Sequence, residues 1–261
     1  MLEVARYEGE RRLALGAAIA VAASFYGVMF VALAPSFTDF DLEAIFANFP
    51  AQLTEGFGIE ATGTLPGLLA VELFQVGWVL VLGLYLAYSA ASMVANDVEM
   101  GRIDTVLAAP VSRTRLVGEE FLSLLVPILA VNAVTPIVLY AGSVLTDDPL
   151  DSVKLFVLHA LAVPCLLCCA AVGFAFSVFL ARETLAQTAS IGTLVVAFLI
   201  ETMLVGTDYE ALGIIAPMAY FGANEILLDG TYDVAGAGIL LAATVALVAV
   251  SQLKFVRMDI E

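Results

Sequence analysis

Charged residues are scarce in this sequence, and basic residues are the scarcest of them. Only 14% of the 261 residues are charged, and 26 acids stand against 10 bases, of which two are Lys, for a net charge of -16. Soluble domains carry about a quarter charged and about half apolar residues, whereas 62% of this chain is hydrophobic. The composition excludes an ordinary soluble domain. The shortage of bases argues against nucleic-acid binding, which needs a basic surface to neutralise phosphates.

Residue types that carry catalysis or bind metals are also few. The sequence has one His, and its three Cys, at positions 165, 168 and 169, lie within one apolar stretch. One imidazole cannot supply a His-rich zinc or catalytic site, so no metal site is predicted. Gly-Lys-Ser and Gly-Lys-Thr, which a phosphate-binding loop requires, do not occur. We therefore expect no catalytic residue and no cofactor in this chain.

What the sequence has in abundance is long uncharged stretches. About 20 apolar residues at 1.5 Å per residue cross a hydrocarbon core of about 30 Å. Six stretches of that length predict an all-α polytopic membrane protein with a single transmembrane domain over residues 1–261. A shorter apolar stretch that contains Pro217 predicts an outer re-entrant segment at 211–230. The predicted spans lie at about 13–34, 66–95, 120–145, 155–181, 184–206 and 234–253.

The distribution of bases predicts the orientation of these spans. Nine of the ten Lys and Arg lie before the first span, after the last, or in the loops that share their side, and only Lys154 lies opposite. Because cytoplasmic loops retain Lys and Arg, we expect a multi-pass plasma-membrane protein with both termini in the cytoplasm. The outer loop, 35–64, repeats apolar residues at three- and four-residue steps from Leu42 to Phe57. This pattern predicts an amphipathic helix on the outer surface.

The longest cytoplasmic loop, residues 96–118, has an amphipathic pattern of its own. Ile103, Val106 and Leu107 recur at helical spacing among charged residues, and Pro110 ends the pattern. The pattern allows two interpretations. The helix seats the loop at the membrane surface, or it docks a cytoplasmic partner.

The same loop resembles a segment of a known family. Glu99-x-Gly101-x-Ile103-Asp104-x-x-Leu107-Ala108-x-Pro110-Val111-Ser112-Arg113 is similar to the loop after the second span in permease subunits of type-2 ABC transporters. Arg102 stands where that family usually has Thr. The start of the chain, the segment around Pro217 and the ending around Arg257 resemble the family in the same order. With its acid-rich, lysine-poor composition, the chain looks like a salt-adapted, archaeal-like variant.

The resemblance implies a function and partners. The chain would be the permease subunit of an ATP-driven exporter. It would pair with a second permease, either an identical copy or a different chain, and with a cytoplasmic ATPase subunit that holds ATP and magnesium. The loop helix would then be a coupling helix. The residues implied in ATPase coupling are Glu99, Gly101, Ile103, Val106, Leu107, Pro110, Arg113 and Arg115.

Four polar residues within or near the spans are candidates for a substrate or ion pathway. They are Glu72, Gln75, Asn132 and Glu201. Carboxylates inside a membrane are costly, and function is their usual explanation. Both acids also lie near the outer ends of their spans, where placing a carboxylate at the membrane interface costs little free energy. The alternative function is a self-contained secondary transporter or channel that uses Glu72 and Glu201 as ion or proton sites.

Two spans carry small residues at every fourth position. The first stripe is Gly83, Ala87, Ala91 and Ala95, and the second is Cys169, Gly173, Ser177 and Ala181. Such stripes allow two helices to approach closely. The sequence leaves open whether they pack within one chain or between two permeases.

Overall fold

Within the described residues, six helices are long and apolar enough to cross a bilayer. The structure is a computed structural model that describes residues 3–37, 49, 50, 54, 58, 62–101, 112–180 and 182–257. Its regular elements in those ranges are all helical, which confirms the all-α, six-span prediction. The helices are α1 (Glu3–Phe37), α2 (Leu65–Glu99), α3 (Arg113–Leu122), α4 (Leu125–Leu145), α5 (Ser152–Phe179), α6 (Glu183–Leu204) and α7 (Val234–Val256), with α3 and α4 together forming the third span.

Two predicted helices fall largely or wholly on residues that the structure does not describe. The coupling helix falls on 102–111, and most of the outer amphipathic helix falls on 42–48, 51–53 and 55–57. Both stay predictions. The predicted re-entrant segment is described, and it forms short turns in place of one continuous helix. These are the 3-10 turns Glu210–Ile215 and Pro217–Tyr220 and the π turn Glu225–Asp229.

Polar side chains fix where three of the helices begin. Thr64 accepts a hydrogen bond from the backbone of α2 at Gly67 (3.2 Å), and Asp151 accepts two from the first turn of α5. Asp233 accepts one from Gly236 in α7 (2.7 Å). The first backbone N–H groups of a helix have no partner within it, so these caps satisfy groups that would otherwise need water.

These three helix starts lie at one end of the bundle, which we call the acidic end. It comprises the starts of α2, α5 and α7 and residues 205–233. The opposite end, which we call the basic end, comprises the start of α1, the end of α2, the starts of α3 and α6, and the end of α7. Loop 96–118 lies at the basic end.

The closest packing in the bundle joins α2 to α5 through the two small-residue stripes. A Cβ added to Gly173 would lie 2.0 Å from the carbonyl oxygen of Ala87, and a Cβ on Gly83 would lie 3.4 Å from the sulfur of Cys169. The Ser177 hydroxyl accepts hydrogen bonds from the backbone of Val94 (2.8 Å) and its neighbour. These two stripes therefore pack against each other within one chain.

Inside α2, residues Leu69–Leu82 have π-helical hydrogen bonding, while Gly83–Glu99 is regular α-helix. π-helical stretches widen the turn and occur frequently at functional sites. This stretch contains Glu72, Gln75 and Trp78, so the pathway candidates of the second span all lie on its irregular part.

Candidate functional site

Loop 96–118 leaves α2 at a glycine with a left-handed backbone. Gly101 has φ of +64°, and its amide donates to the carbonyl of Val98 (3.1 Å), while Met100 donates to Asn96 (2.9 Å). A residue with a side chain pays about 1 to 2 kcal/mol in this conformation, and glycine does not. Gly101 therefore ends the helix and sets the direction in which the chain enters the predicted coupling helix.

Replacing Gly101 by Ala is expected to destabilise the protein although the space around it is open. An added Cβ has no neighbour within 4 Å, so the cost is backbone strain alone. The matched control is Gly238→Ala, which has equal space and lies inside α7, where Ala favours the helix. We expect Gly101→Ala to lose about 1 to 2 kcal/mol, or roughly 2 to 8 °C in Tm measured in detergent, while Gly238→Ala keeps or raises the Tm. Equal Tm values would contradict the assigned backbone role.

The carboxylate of Glu99 joins the start of the loop to another span. Its Oε2 accepts a hydrogen bond from the backbone N–H of Glu183 at 2.7 Å. Glu183 is the first residue of α6, so Glu99 satisfies one of that helix's unpaired donors and places negative charge at its N-terminus. The loop therefore begins with a direct contact between α2 and α6.

The far end of the loop is fixed by Ser112. Its hydroxyl accepts from the backbone N–H of Arg115 at 3.4 Å and so caps α3. Arg115 then donates from Nε to Oε1 of Glu119 one turn later, and Glu119 is buried. Arg113 is the first residue of α3. The Ser-Arg of the sequence motif is thus the start of a helix.

The end of the loop also contacts α7, where Gln252 donates from Nε2 to the carbonyl of Thr114 (3.2 Å). Before the loop begins, Arg12 of α1 donates to the hydroxyl of Ser89 in α2 (3.3 Å). The described ends of the loop are therefore tied to α6 and α7. Ile103, Val106, Leu107 and Pro110, the centre of the predicted coupling helix, lie outside the described residues.

At the acidic end, the structure brings two of the four pathway candidates together. Gln75 of α2 and Glu201 of α6 line one polar cavity of about 310 Å³. Two acids from the segment between α6 and α7, Glu210 and Glu225, line it as well. No group of acids, Cys or His in the described part of the chain is arranged to hold a metal ion. The cavity is therefore lined by amide and carboxylate side chains from α2, α6 and the segment between α6 and α7.

The other two candidates lie elsewhere. Glu72 lies in the π-helical stretch of α2 and does not line this cavity. Asn132 is buried within α4, where its Oδ1 accepts from Nε1 of Trp78 (3.0 Å) and its Nδ2 donates to the carbonyl of Ile128 (2.8 Å). Both ends of this amide have protein partners, so Asn132 joins α4 to α2.

Comparison with known families identifies the family of this chain. The family model described as ABC-2 family transporter protein matches residues 64–260, which includes the whole of loop 96–118. The chain belongs to the ABC-2 transporter family. It is the multi-pass transmembrane permease of an ABC transporter, and membership implies association with an ABC ATPase. No curated protein matches the chain.

Several contacts of this ABC-2 permease were not predicted from its sequence. Ser112 stands in the loop motif and precedes a polar turn, which is a usual signal for a helix cap. The contacts of Glu99 with Glu183 and of Gln252 with Thr114 join residues that are far apart in the sequence. They leave no local signal, and the same is true of Glu210 and Glu225 beside Gln75.

The lone base at the acidic end of the permease holds the segment between α6 and α7. Lys154 donates from Nζ to the carbonyls of Leu227 (3.1 Å) and Leu228 (2.7 Å). Lys154→Met should keep the packing of the stem and lose both bonds, which costs about 1 to 2 kcal/mol. We expect a lower Tm in detergent, with Lys154→Arg retaining most of the stability. Equal stability of the Met variant and the wild type would show that these bonds do not hold the segment.

Proposed function

We propose that this permease is the membrane subunit of an ATP-driven exporter whose motor is a separate ABC ATPase. The ATPase holds ATP and magnesium, and it binds loop 96–118 of the permease. The observation that carries the proposal is the family match, which spans residues 64–260 and includes the loop motif from Glu99 to Arg113. A second permease, an identical copy or a different chain, completes the transporter.

The anchoring of the loop supports coupling through it. At its start, Glu99 contacts the first residue of α6, and at its end the capped α3 contacts Gln252 of α7. A force that the ATPase exerts on the loop is therefore transmitted to α2 and α3, which the loop joins, and to α6 and α7, which its ends contact. Packed helices move as rigid elements, so this arrangement can convert ATPase closure into movement of the spans.

The charges of the helix ends support a cytoplasmic location for the loop. Arg12, Arg115, Arg182 and Lys254 all lie at the basic end, whereas the acidic end has Lys154 as its one base. Loops rich in Lys and Arg stay in the cytoplasm. In this orientation both termini are cytoplasmic, the protein lies in the plasma membrane, and the polar cavity faces outward.

The test is purification of the tagged permease from its native membranes in mild detergent, followed by mass spectrometry. We expect a stoichiometric polypeptide with a Walker motif, at native salt and without crosslinking. Repeated purification without any such ATPase, including after crosslinking, would overturn the proposal. It would favour a self-contained transporter, for which neutralising Glu72 and Glu201 is the next experiment.

A further inference from the structure

The polar cavity at the acidic end contains more hydrogen-bond acceptors than donors. The carboxylates of Glu201, Glu210 and Glu225 line it, and a carboxylate can only accept. The side chain of Asn224 lines it as well, and its Oδ1 is buried without a hydrogen-bond partner among the described residues. Buried acceptors in proteins are normally satisfied. The cavity is therefore built to receive a hydrogen-bond donor.

The described protein satisfies only a small part of these carboxylates. Oε2 of Glu201 accepts from the hydroxyl of Thr202 (3.2 Å), and Oε2 of Glu210 accepts from the backbone N–H of Gly206 (3.3 Å). Each ionised carboxylate can accept about four hydrogen bonds through its two oxygens. Most of that capacity remains for a ligand.

The sequence supplies no free base to neutralise the cavity. Residues 35–64, 146–151 and 205–233 contain no Lys or Arg. Lys154 is the one base at the acidic end, and its amine donates to the carbonyls of Leu227 and Leu228. Carboxylates that share a site without a base repel one another. A ligand with several positive charges is therefore favoured over a neutral one, and an anion is excluded.

The size and the walls of the cavity favour an organic cation over a metal ion. Its volume of about 310 Å³ lies within the range of small-molecule pockets, which begins at about 300 Å³. In the described ranges, no acids are grouped closely enough to hold a metal ion. Between the carboxylates the wall is apolar and includes Val79, Phe198 and Met218. Such a wall suits methylene groups.

We propose that this cavity binds an aliphatic polyamine, a molecule with two or three protonated amines joined by methylene chains. The ammonium groups donate to the carboxylates and to Oδ1 of Asn224, and hydrogen bonds between ions are the strong ones. The methylene chains pack against the apolar wall. The role of this ligand as the transported substrate rests on the proposed function, whereas its binding is measurable without an ATPase.

Equilibrium binding of radiolabelled spermidine, a triamine, tests the proposal. The purified permease would be placed, without an ATPase, in nanodiscs of phosphatidylcholine, whose headgroup has no net charge. The competitors are putrescine, Mg²⁺, which has the same charge as putrescine, and butanediol, which has the same carbon chain and no charge. We expect saturable binding that putrescine displaces at about one-tenth of the concentration that either control needs. No saturable binding, or displacement by Mg²⁺ as effective as that by putrescine, would overturn the proposal.

Single neutralising variants locate the bound amines. Glu201→Gln and Glu225→Gln keep the size of the side chain and remove one charge each, so each should weaken spermidine binding by about tenfold. Asp148→Asn is the matched control, because it removes one charge from the exposed loop between α4 and α5 at the same end of the bundle. We expect this control to bind like the wild type. An equal loss in all three variants would reduce the effect to general surface charge and overturn the proposal.

A cation attached to the protein provides a test that removes no carboxylate. Ala219 lines the cavity and is exposed, so a longer side chain there does not enter the core. Ala219→Lys adds an ammonium, and Ala219→Met adds similar length without charge. We expect the Lys variant to bind spermidine about tenfold more weakly than the Met variant. Equal binding by the two variants would contradict a cation site. Because the assay contains no ATPase, its outcome is independent of the co-purification that tests the transporter assignment.

Discussion

The Ile103→Asp, Leu107→Asp double variant is expected to lose its ATPase partner. Both side chains belong to the apolar stripe of the predicted coupling helix, in the centre of the loop motif. A buried Ile or Leu contributes about 1.5 to 3 kcal/mol, and an acid in its place also pays to leave water. The pair should therefore weaken association by about 4 kcal/mol or more, which is roughly a thousandfold. Co-purification from native membranes with quantitative mass spectrometry measures the loss.

The matched control keeps the stripe apolar. Ile103→Val with Leu107→Met changes shape and little hydrophobicity, so the ATPase should remain bound. A double Asp variant that retains its ATPase would contradict a docking role for the stripe. The helix would then only seat the loop at the membrane surface, which is the second interpretation that the sequence allows.

Replacing Gly173 by Ala is expected to destabilise the protein more than the same replacement at Gly101. The added Cβ would lie 2.0 Å from the carbonyl oxygen of Ala87 and 2.6 Å from its carbonyl carbon, both of them backbone atoms of α2. A side chain can rotate away from such a contact, but backbone cannot, so α2 and α5 must separate. We expect a loss of about 3 kcal/mol, or roughly 6 to 12 °C in Tm in detergent.

Gly192→Ala is the control for that experiment. Gly192 lies within α6, and an added Cβ has no neighbour within 4 Å. Ala is the better helix former, so this variant should keep or slightly raise the Tm. If Gly173→Ala and Gly192→Ala have the same Tm, α2 and α5 do not pack as closely as the structure shows.

The sequence predicts the number of spans well because the bilayer sets their length. Uncharged stretches such as 155–181 have the length that a hydrocarbon core demands, and that requirement is local to each helix. The stripes that contain Gly83 and Gly173 predict close packing for the same reason, since small residues at every fourth position form one face. The partner of each stripe is not a local property, so only the structure pairs them.

The candidate site is less predictable for the same reason. The motif around Gly101 and Ser112 identifies the loop, and the backbone explains both residues, one as a left-handed helix end and the other as a helix cap. Contacts across the bundle have no such signal. The hydrogen bond of Glu99 to Glu183 and the shared cavity of Gln75 and Glu201 depend on how α2 packs against α6.

Photo-crosslinking from the centre of the loop tests the central claim most directly. A benzophenone amino acid at Val106 would be activated in native membranes, and adducts would be identified by mass spectrometry. The control position is Ile214, an exposed apolar residue at the acidic end. We predict an adduct with a Walker-motif ATPase from Val106 and none from Ile214. If positions 103, 106 and 107 all give no adduct with an ATPase, the result would contradict a coupling role for this loop.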